Sequence, residues 1–276
     1  MTPLADAWPE LVCQMRAREA CVVATDFDGT LVDLADCPGD VVMSPRARAT
    51  LGRLASRSRV TVALASGRRL RELDALVGLP EAILVGNHGF EVRVPGRAAV
   101  YEQITGETRV SRMVLFGLQR EASRVPGLWI EDKGPILTVH LRHVAPNDVP
   151  AAHAIVHDIV SPYRSCCQAL QGRQVIEIRP CRPVTKGSAL CGALRQHGVA
   201  PDAFCWYFGD DVADEDVFTS LPSGSATVRV GSHRPTSAAR FVVNEPATVL
   251  DVLDALDEVA ASMRRSETQS DSFHLA

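Results

Sequence analysis

Nowhere in this 276-residue sequence is there a run of the roughly 18 apolar residues that a membrane helix requires, so no membrane partner is expected. Residues 1–20 carry Asp6, Glu10, Arg16, Arg18 and Glu19, which leaves no apolar core for a signal peptide. Neither charge sign dominates: 29 Lys+Arg against 33 Asp+Glu give a net −4, which argues against nucleic acid as the partner. The eight cysteines contain no C-x-x-C pair, and only Cys166 and Cys167 adjoin. That pattern fits free thiols in a reducing, cytoplasmic compartment and not a disulfide framework. No internal repeat, G-x-G-x-x-G or G-x-S-x-G motif occurs. His140/His143 and His153/His157 have spacings a metal could use, but no acid or thiol stands at a matching distance, so zinc is not expected.

What is present is ordinary globular material, 46% apolar and 22% charged, enough for a core domain with a smaller companion. Short runs apolar on both faces, at 20–25, 59–65 and 82–86, alternate with helical patterns at 45–57 and 69–77. Ser44-Pro45 opens the first of these helices and Gly78 closes the second. From about 105 the pattern changes to helix–strand–strand–helix–strand–strand, with hairpin turns at Lys133-Gly134-Pro135 and Gln171-Gly172-Arg173. At 184 alternation returns, with a helix capped by Thr185, strands at 203–211, 225–230 and 240–243, and a last helix at 247–263. The expected fold class is α/β. A doubly wound, mainly parallel sheet (1–104 and 181–264) is interrupted by an α+β cap (105–180), and a polar tail (265–276) is expected to be disordered.

Polar clusters sit where the core strands stop, the place at which ligands bind an open parallel sheet. The first is the Asp26–Thr30 segment of CVVATDFDGTLVDL, where an apolar strand ends in two carboxylates. Like charges so close repel by roughly 1 kcal/mol in water and by more in a drier site, so a cation must accompany them. Ser66-Gly67-Arg68 ends the second strand, Lys186 reopens the core, and GDDVADED (209–216) follows the 203–211 strand. Asp210 and Asp214 add acid to the same rim, a donor set suited to Mg²⁺. Lys186, Ser66 and Thr30 can donate to phosphate oxygens, and Gly29 and Gly67 let main-chain N–H groups come close. Arg68, Arg69 and Arg71 read first as a solvated helix face, with Arg68 alone kept among the substrate-binding candidates. Metal, phosphate cradle and an available carboxylate together describe phosphoryl transfer to an aspartate.

DFDGTL, the serine after the second strand, the later lysine and the acidic fourth motif resemble the haloacid-dehalogenase superfamily of aspartate-nucleophile phosphatases. GNHGFE (86–91), EDKGPILTVHLR (131–142), VIEIRP (175–180), KGSAL (186–190) and GDDVADEDVF (209–218) narrow the resemblance to trehalose-phosphate phosphatases. It implies that Asp26 is the nucleophile and Asp28 the general acid and base. Asp26, Asp210 and the Asp28 main-chain carbonyl would hold Mg²⁺, with Asp214 or Asp211 in support, while Ser66 and Lys186 hold the phosphoryl group. One departure stands out: Ala213 occupies a position where the family commonly has threonine.

A phosphate pocket cannot choose a sugar; that needs polar groups left unpaired by the wrong hydroxyl pattern. Alternation puts Trp129, Glu131 and Lys133 on one strand face, Thr138, His140 and Arg142 on another, and Val175, Glu177 and Arg179 on a third. The resemblance places Glu131, Lys133, Arg142 and Glu177 on the sugar, with Asn87 and His88 near the cap–core seam. It implies a trehalose-6-phosphate phosphatase acting as a monomer, paired in function with a trehalose-phosphate synthase. Phosphatases of other sugar phosphates (sucrose, glucosyl or mannosyl glycerate, hexose) keep the same chemistry. A non-catalytic phospho-aspartate or sugar-phosphate sensor would differ by a long-lived phosphoaspartate.

Overall fold

The computed structural model describes residues 1–34, 41–97, 106–172, 174–181, 184–231 and 236–271, with the side chains of 106–108 and 264–271 excepted. Residues 98–105, Arg173 and 272–276, on which some sequence expectations fall, lie outside them. The chain begins with β1 (Thr2–Pro3), α1 (Leu4–Arg16), β2 (Cys21–Asp26), α2 (Pro45–Ala55), β3 (Val60–Ala65), α3 (Leu70–Val77), β4 (Ile83–Gly86) and β5 (Glu91–Arg93). It continues with α4 (Gly106–Ala122), β6 (Trp129–Lys133), β7 (Ile136–His140), α5 (Val149–Val160), β8 (Cys167–Gln171) and β9 (Val175–Pro180). It closes with α6 (Lys186–His197), β10 (Phe204–Gly209), α7 (Val212–Ser220), β11 (Ala226–Val230), β12 (Phe241–Val243) and α8 (Pro246–Asp271). Two compact units result: residues 1–99 with 184–276, and residues 100–183.

All six residues of β2 are buried, so that strand needs cover on both sides. Alternate residues separate into two cores, as the period of a strand requires. Cys21 and Val23 of β2, with Phe204, Trp206 and Phe208 of β10, pack against α1, α2, α3 and α8. Val22 and Ala24, with Cys205 and Tyr207, pack against α6 and α7. Strand order is β1-β12-β11-β10-β2-β3-β4-β5, parallel except for the β4–β5 edge pair. The order reverses between β10 and β2, which run side by side from Phe204↔Cys21 to Phe208↔Thr25. Asp26 and Asp210 therefore end adjacent strands at the switch point, where a crevice opens in such sheets.

Local signals explain the helix ends. Ser44 accepts from Ala47 N at 3.1 Å ahead of Pro45. Gly78 and Gly198 close α3 and α6 in the left-handed region. The tail expected to be disordered from 265 is helical to Asp271, because α8 propagates through residues with no proline or glycine to stop it.

In the second unit β6-β7-β9-β8 form an antiparallel sheet. One face carries Leu137, Val139, Ile176 and Ile178 against α4 and α5. The register puts Trp129 opposite His140, Glu131 opposite Thr138, and Thr138 opposite Glu177. Directly opposed residues share a face, so what alternation along single strands describes as three polar faces is one. Arg142 is not on it: β7 ends at His140, and Arg142 lies exposed in the following turn.

Helices α2 and α8 are joined by arginines against aspartates. Asp257, whose side chain is 9% exposed, takes Arg53 at 2.7 Å and Arg57 at 2.6 Å. Asp257→Ala leaves two guanidinium groups facing each other and is expected to cost about 1–2 kcal/mol. Asp251, 69% exposed on Arg46, should change stability by no more than about 0.5 kcal/mol when replaced by Ala. Urea unfolding of the two variants checks the contrast.

Candidate active site

Asp26, 5% exposed at the end of β2, meets Lys186 with its Oδ1 2.5 Å from the ammonium. Lys186 is the first residue of α6, and its Nζ also lies 2.6 Å from Asp214 Oδ1. Asp214 is wholly enclosed and takes two further donors, the Tyr207 hydroxyl at 2.7 Å and Asp211 N at 3.0 Å. Asp210 accepts the Thr30 hydroxyl at 3.0 Å. Its main-chain carbonyl is pinned by Arg229 Nη2 at 2.7 Å. Oxygens of Asp26, Asp210 and Asp214 lie within 4.8 Å of one another.

These approaches depend on two glycines. A Cβ on Gly29, whose φ is +82°, would stand 2.4 Å from Asp210 Oδ2. A Cβ on Gly209 would stand 2.4 Å from Asp214 Cγ. Any other residue at either place pushes an acid out of the group.

Asp28 faces a different cation. The Arg68 guanidinium grips its carboxylate with Nε at 2.8 Å and Nη2 at 2.6 Å, the two-pronged geometry that orients a carboxylate best. Ser66 Oγ, 3.5 Å from the same carboxylate, accepts from Arg68 N at 3.1 Å. Asn87 N donates to Arg68 O at 2.6 Å and His88 N to Ser66 O at 3.2 Å, so the 66–68 and 87–88 turns are tied together. The His88 ring packs so closely on Gly67 that a Cβ there would lie 2.8 Å away.

Several expected roles shift under this geometry. Thr30 is enclosed and its hydroxyl donates to Asp210, so it supports the acids instead of offering a phosphate donor. Asn87 has no exposed surface, and its amide nitrogen donates to Glu91 at 3.5 Å. Asp211 caps α7 from an exposed position and is not within the carboxylate group. Arg68 is no solvated helix face: its side chain is 11% exposed on Asp28. Motif reading also passes over three contributors. Tyr207 and Arg229 sit inside apolar strands, and Glu91 holds the start of α3 by accepting from Leu70 N at 2.5 Å.

In the second unit Glu131 takes His140 Nε2 at 3.0 Å and Lys133 Nζ at 3.5 Å. Trp129 stacks on the His140 ring at 4.2 Å, and Arg179 donates to Glu177. Burial would raise the Glu131 carboxyl, but His140 and Lys133 outweigh it and hold it below the usual range.

Burial lifts Asp26 well above the ordinary carboxylate range; Lys186 opposes this, and the Asp214 and Asp210 charges add to it. Burial likewise pushes Asp210 up to about 6, against the Thr30 hydrogen bond and with help from Asp214 and Asp211. Lys186 is raised despite burial, because two carboxylates surround it, so it stays an ammonium. One monovalent cation is thus shared among three carboxylates. Asp214 already has three donors, which leaves Asp26 and Asp210 as the acids best able to take a further cation. An all-oxygen donor set fits a hard divalent ion and not a soft one.

Residues 24–246 match the family model described as trehalose-phosphatase. A trehalose-phosphate phosphatase of Mycobacterium tuberculosis (strain H37Rv) is 32% identical over 237 residues, covering 84% of this chain and 60% of that protein. The chain therefore spans about 60% of the length of that curated relative. Among solved structures, Aspergillus fumigatus trehalose-6-phosphate phosphatase aligns with a TM-score of 0.68 at 28% identity, over 94% of this chain and 99% of that one. The C-terminal domain of the Candida albicans trehalose-6-phosphate phosphatase aligns with a TM-score of 0.76 at 23% identity, over 94% and 98%.

A carboxyl whose folded pKa is raised binds its proton more tightly folded than unfolded. Its contribution to stability is lost as pH rises, for Asp210 from its ordinary 3.8 to about 6. The metal-free protein is therefore expected to lose thermal stability between about pH 4 and pH 6. A hard divalent cation, which binds the folded acids, should restore stability at neutral pH. Melting curves with chelator and with magnesium test this; a flat profile would contradict it.

Proposed function

The chain belongs to the trehalose-phosphatase family, and on that premise we propose that it hydrolyses trehalose 6-phosphate to trehalose and phosphate, using Mg²⁺ held by Asp26 and Asp210. One observation carries the proposal: neighbouring aspartates are assigned to different cations, Asp26 to Lys186 and Asp28 to Arg68. That division gives each acid its own task. Asp26 attacks phosphorus, forming an aspartyl phosphate as the bond from phosphorus to the sugar oxygen breaks. Asp28, which must enter the step protonated, gives that oxygen its proton and afterwards takes one back from the water that cleaves the acyl phosphate. Arg68 keeps the Asp28 carboxylate turned toward the transfer. Lys186 and Ser66 hold phosphoryl oxygens, and Gly67 leaves the loop backbone open beside them. When bound, the divalent ion neutralises charge that builds on those oxygens.

The polar face of the second unit supports a sugar as the leaving group. Glu131, Thr138 and Glu177 stand in one row across three strands, flanked by Lys133, His140 and Arg179. The buried Thr138 hydroxyl has no hydrogen-bond partner among the described residues, a cost that a sugar hydroxyl would remove. Acids that accept beside bases that donate suit a polyhydroxylated ligand. We include His88 and Arg142 as further substrate contacts. A cytoplasmic monomer paired in function with a trehalose-phosphate synthase belongs to the same proposal. No helix among the described residues is long and apolar enough to cross a membrane.

Phosphate release from a panel of sugar phosphates, with magnesium or chelator, tests this. The trehalose ester should be preferred, and chelation or Asp26→Asn should lower turnover by at least about three orders of magnitude. Equal turnover of sucrose or hexose phosphates would remove trehalose from the proposal. Glu131→Ala should lower kcat/KM for the trehalose ester by about 10–100-fold. Hydrolysis of p-nitrophenyl phosphate, which offers no sugar hydroxyls, should stay within about twofold of the parent protein; an equal loss on both would mean a structural role.

A further inference from the structure

The second unit carries a thiol pair that phosphoryl transfer does not use. In the β8–β9 ladder Cys167 stands opposite Pro180 and Gln168 opposite Arg179. Just beyond the ladder, Cys181 N donates to Cys166 O at 2.8 Å, while Cys166 N donates to Tyr163 O at 2.8 Å in the turn before β8. Residues that exchange both main-chain bonds in an antiparallel ladder have Cα atoms about 5.5 Å apart, and one such bond holds this pair close to that spacing. That lies inside the roughly 4.4–6.8 Å window of disulfides. Both cysteines are exposed. The hydrogen bonds their sulfurs make among the described residues are long, Cys181 to Arg164 O at 3.7 Å and Cys166 with Ser165 Oγ at 3.6 Å.

We propose that Cys166 and Cys181 are a modification site, closing to a reversible cross-strand disulfide when a hydroperoxide oxidises them. The adjacent Cys167 is set aside by the same ladder. It is 2% exposed within the second unit's core, and burial, with the neighbouring Cys181 and Cys166 thiols, pushes its thiol up to about 11. Pairing it with Cys166 would require pulling it out of that core. Exposed disulfides of this kind are the labile and regulatory ones.

The step balances. A thiolate of the pair attacks one peroxide oxygen; the O–O bond breaks, leaving a sulfenic acid and an alcohol or water. The second thiol then displaces hydroxide from that sulfur, the S–S bond forms and water leaves. Two thiols lose two electrons and two protons to the hydroperoxide, and a dithiol reductant reverses the change.

The whole protein, treated with hydrogen peroxide in slight molar excess and then alkylated, decides the matter by tandem mass spectrometry. A Cys166–Cys181 link is expected, with two fewer alkylatable thiols, both restored by dithiothreitol. Cys166→Ser and Cys181→Ser should each abolish the link and Cys167→Ala should keep it; the parent map alone suffices if Cys167→Ala fails to fold. A Cys166–Cys167 link, oxidation to sulfinic acid without any link, or unmodified Cys166 and Cys181 beside oxidised Cys13 would each overturn the proposal.

Discussion

Everything at the switch point depends on the Lys186 ammonium lying between Asp26 and Asp214. A lysine in the first turn of a helix works against the helix dipole, which favours anions there. The start of α6 is otherwise served as a helix start should be, by the Thr185 side chain on Ser188 N and by Asp216 on Gly187 N at 2.7 Å. Lys186 therefore occupies that place for its charge and not for the helix. Removing it would leave two enclosed carboxylates with no counter-ion, the arrangement that buried charges tolerate least. Because α6 is where the chain re-enters the first unit, the same residue joins the two sequence halves of that unit through Asp26.

The second constraint is crowding. Asp210 and Asp214 can approach the β2 turn only because Gly29 and Gly209 present no side chain. Parallel pairing of β10 with β2 and with β11 supplies the rigid frame. Arg229, opposite Gly209 on β11, fixes the Asp210 carbonyl from the far side. Burial first, and the neighbouring carboxylates after it, raise the pKa values of Asp26 and Asp210. The electrostatic cost that makes the site costly to keep empty is the same feature that fits it to a divalent ion.

Much of this was legible in the sequence, because its signals are local. Apolar runs ending in acids mark β2 and β10, and the α/β class follows from their alternation with helices. The fourth motif and Lys186 could be assigned to one crevice from strand polarity alone. What escaped depends on pairing. Helix α1 is obscured by Pro9 within it, and α7 is so rich in acids that it reads as a turn. Nothing in residues 129–133, 136–140 and 175–180 says that their polar positions form one row; only the β6–β7–β9 register does. Thr30 and Asn87 are polar residues whose direction, inward to Asp210 and to Glu91, is set by neighbours distant in sequence. Tyr207 is hidden by the apolar strand that contains it.

That last residue accounts for the departure in the fourth motif. Ala213 brings no hydroxyl to a loop where threonine is common in the family, which would matter if an acid there were short of a donor. Asp214 is not short of one. Its Oδ1 receives both Lys186 and the Tyr207 hydroxyl, and its Oδ2 receives Asp211 N. Tyr207 is fully buried, and burial together with the Asp214 charge pushes its phenol upward, which favours the protonated, donating form. A hydroxyl fixed on a central strand also costs less to hold in place than one on a loop, since the sheet has already ordered its backbone. The acid group is therefore satisfied from the sheet side, and position 213 is free to be small.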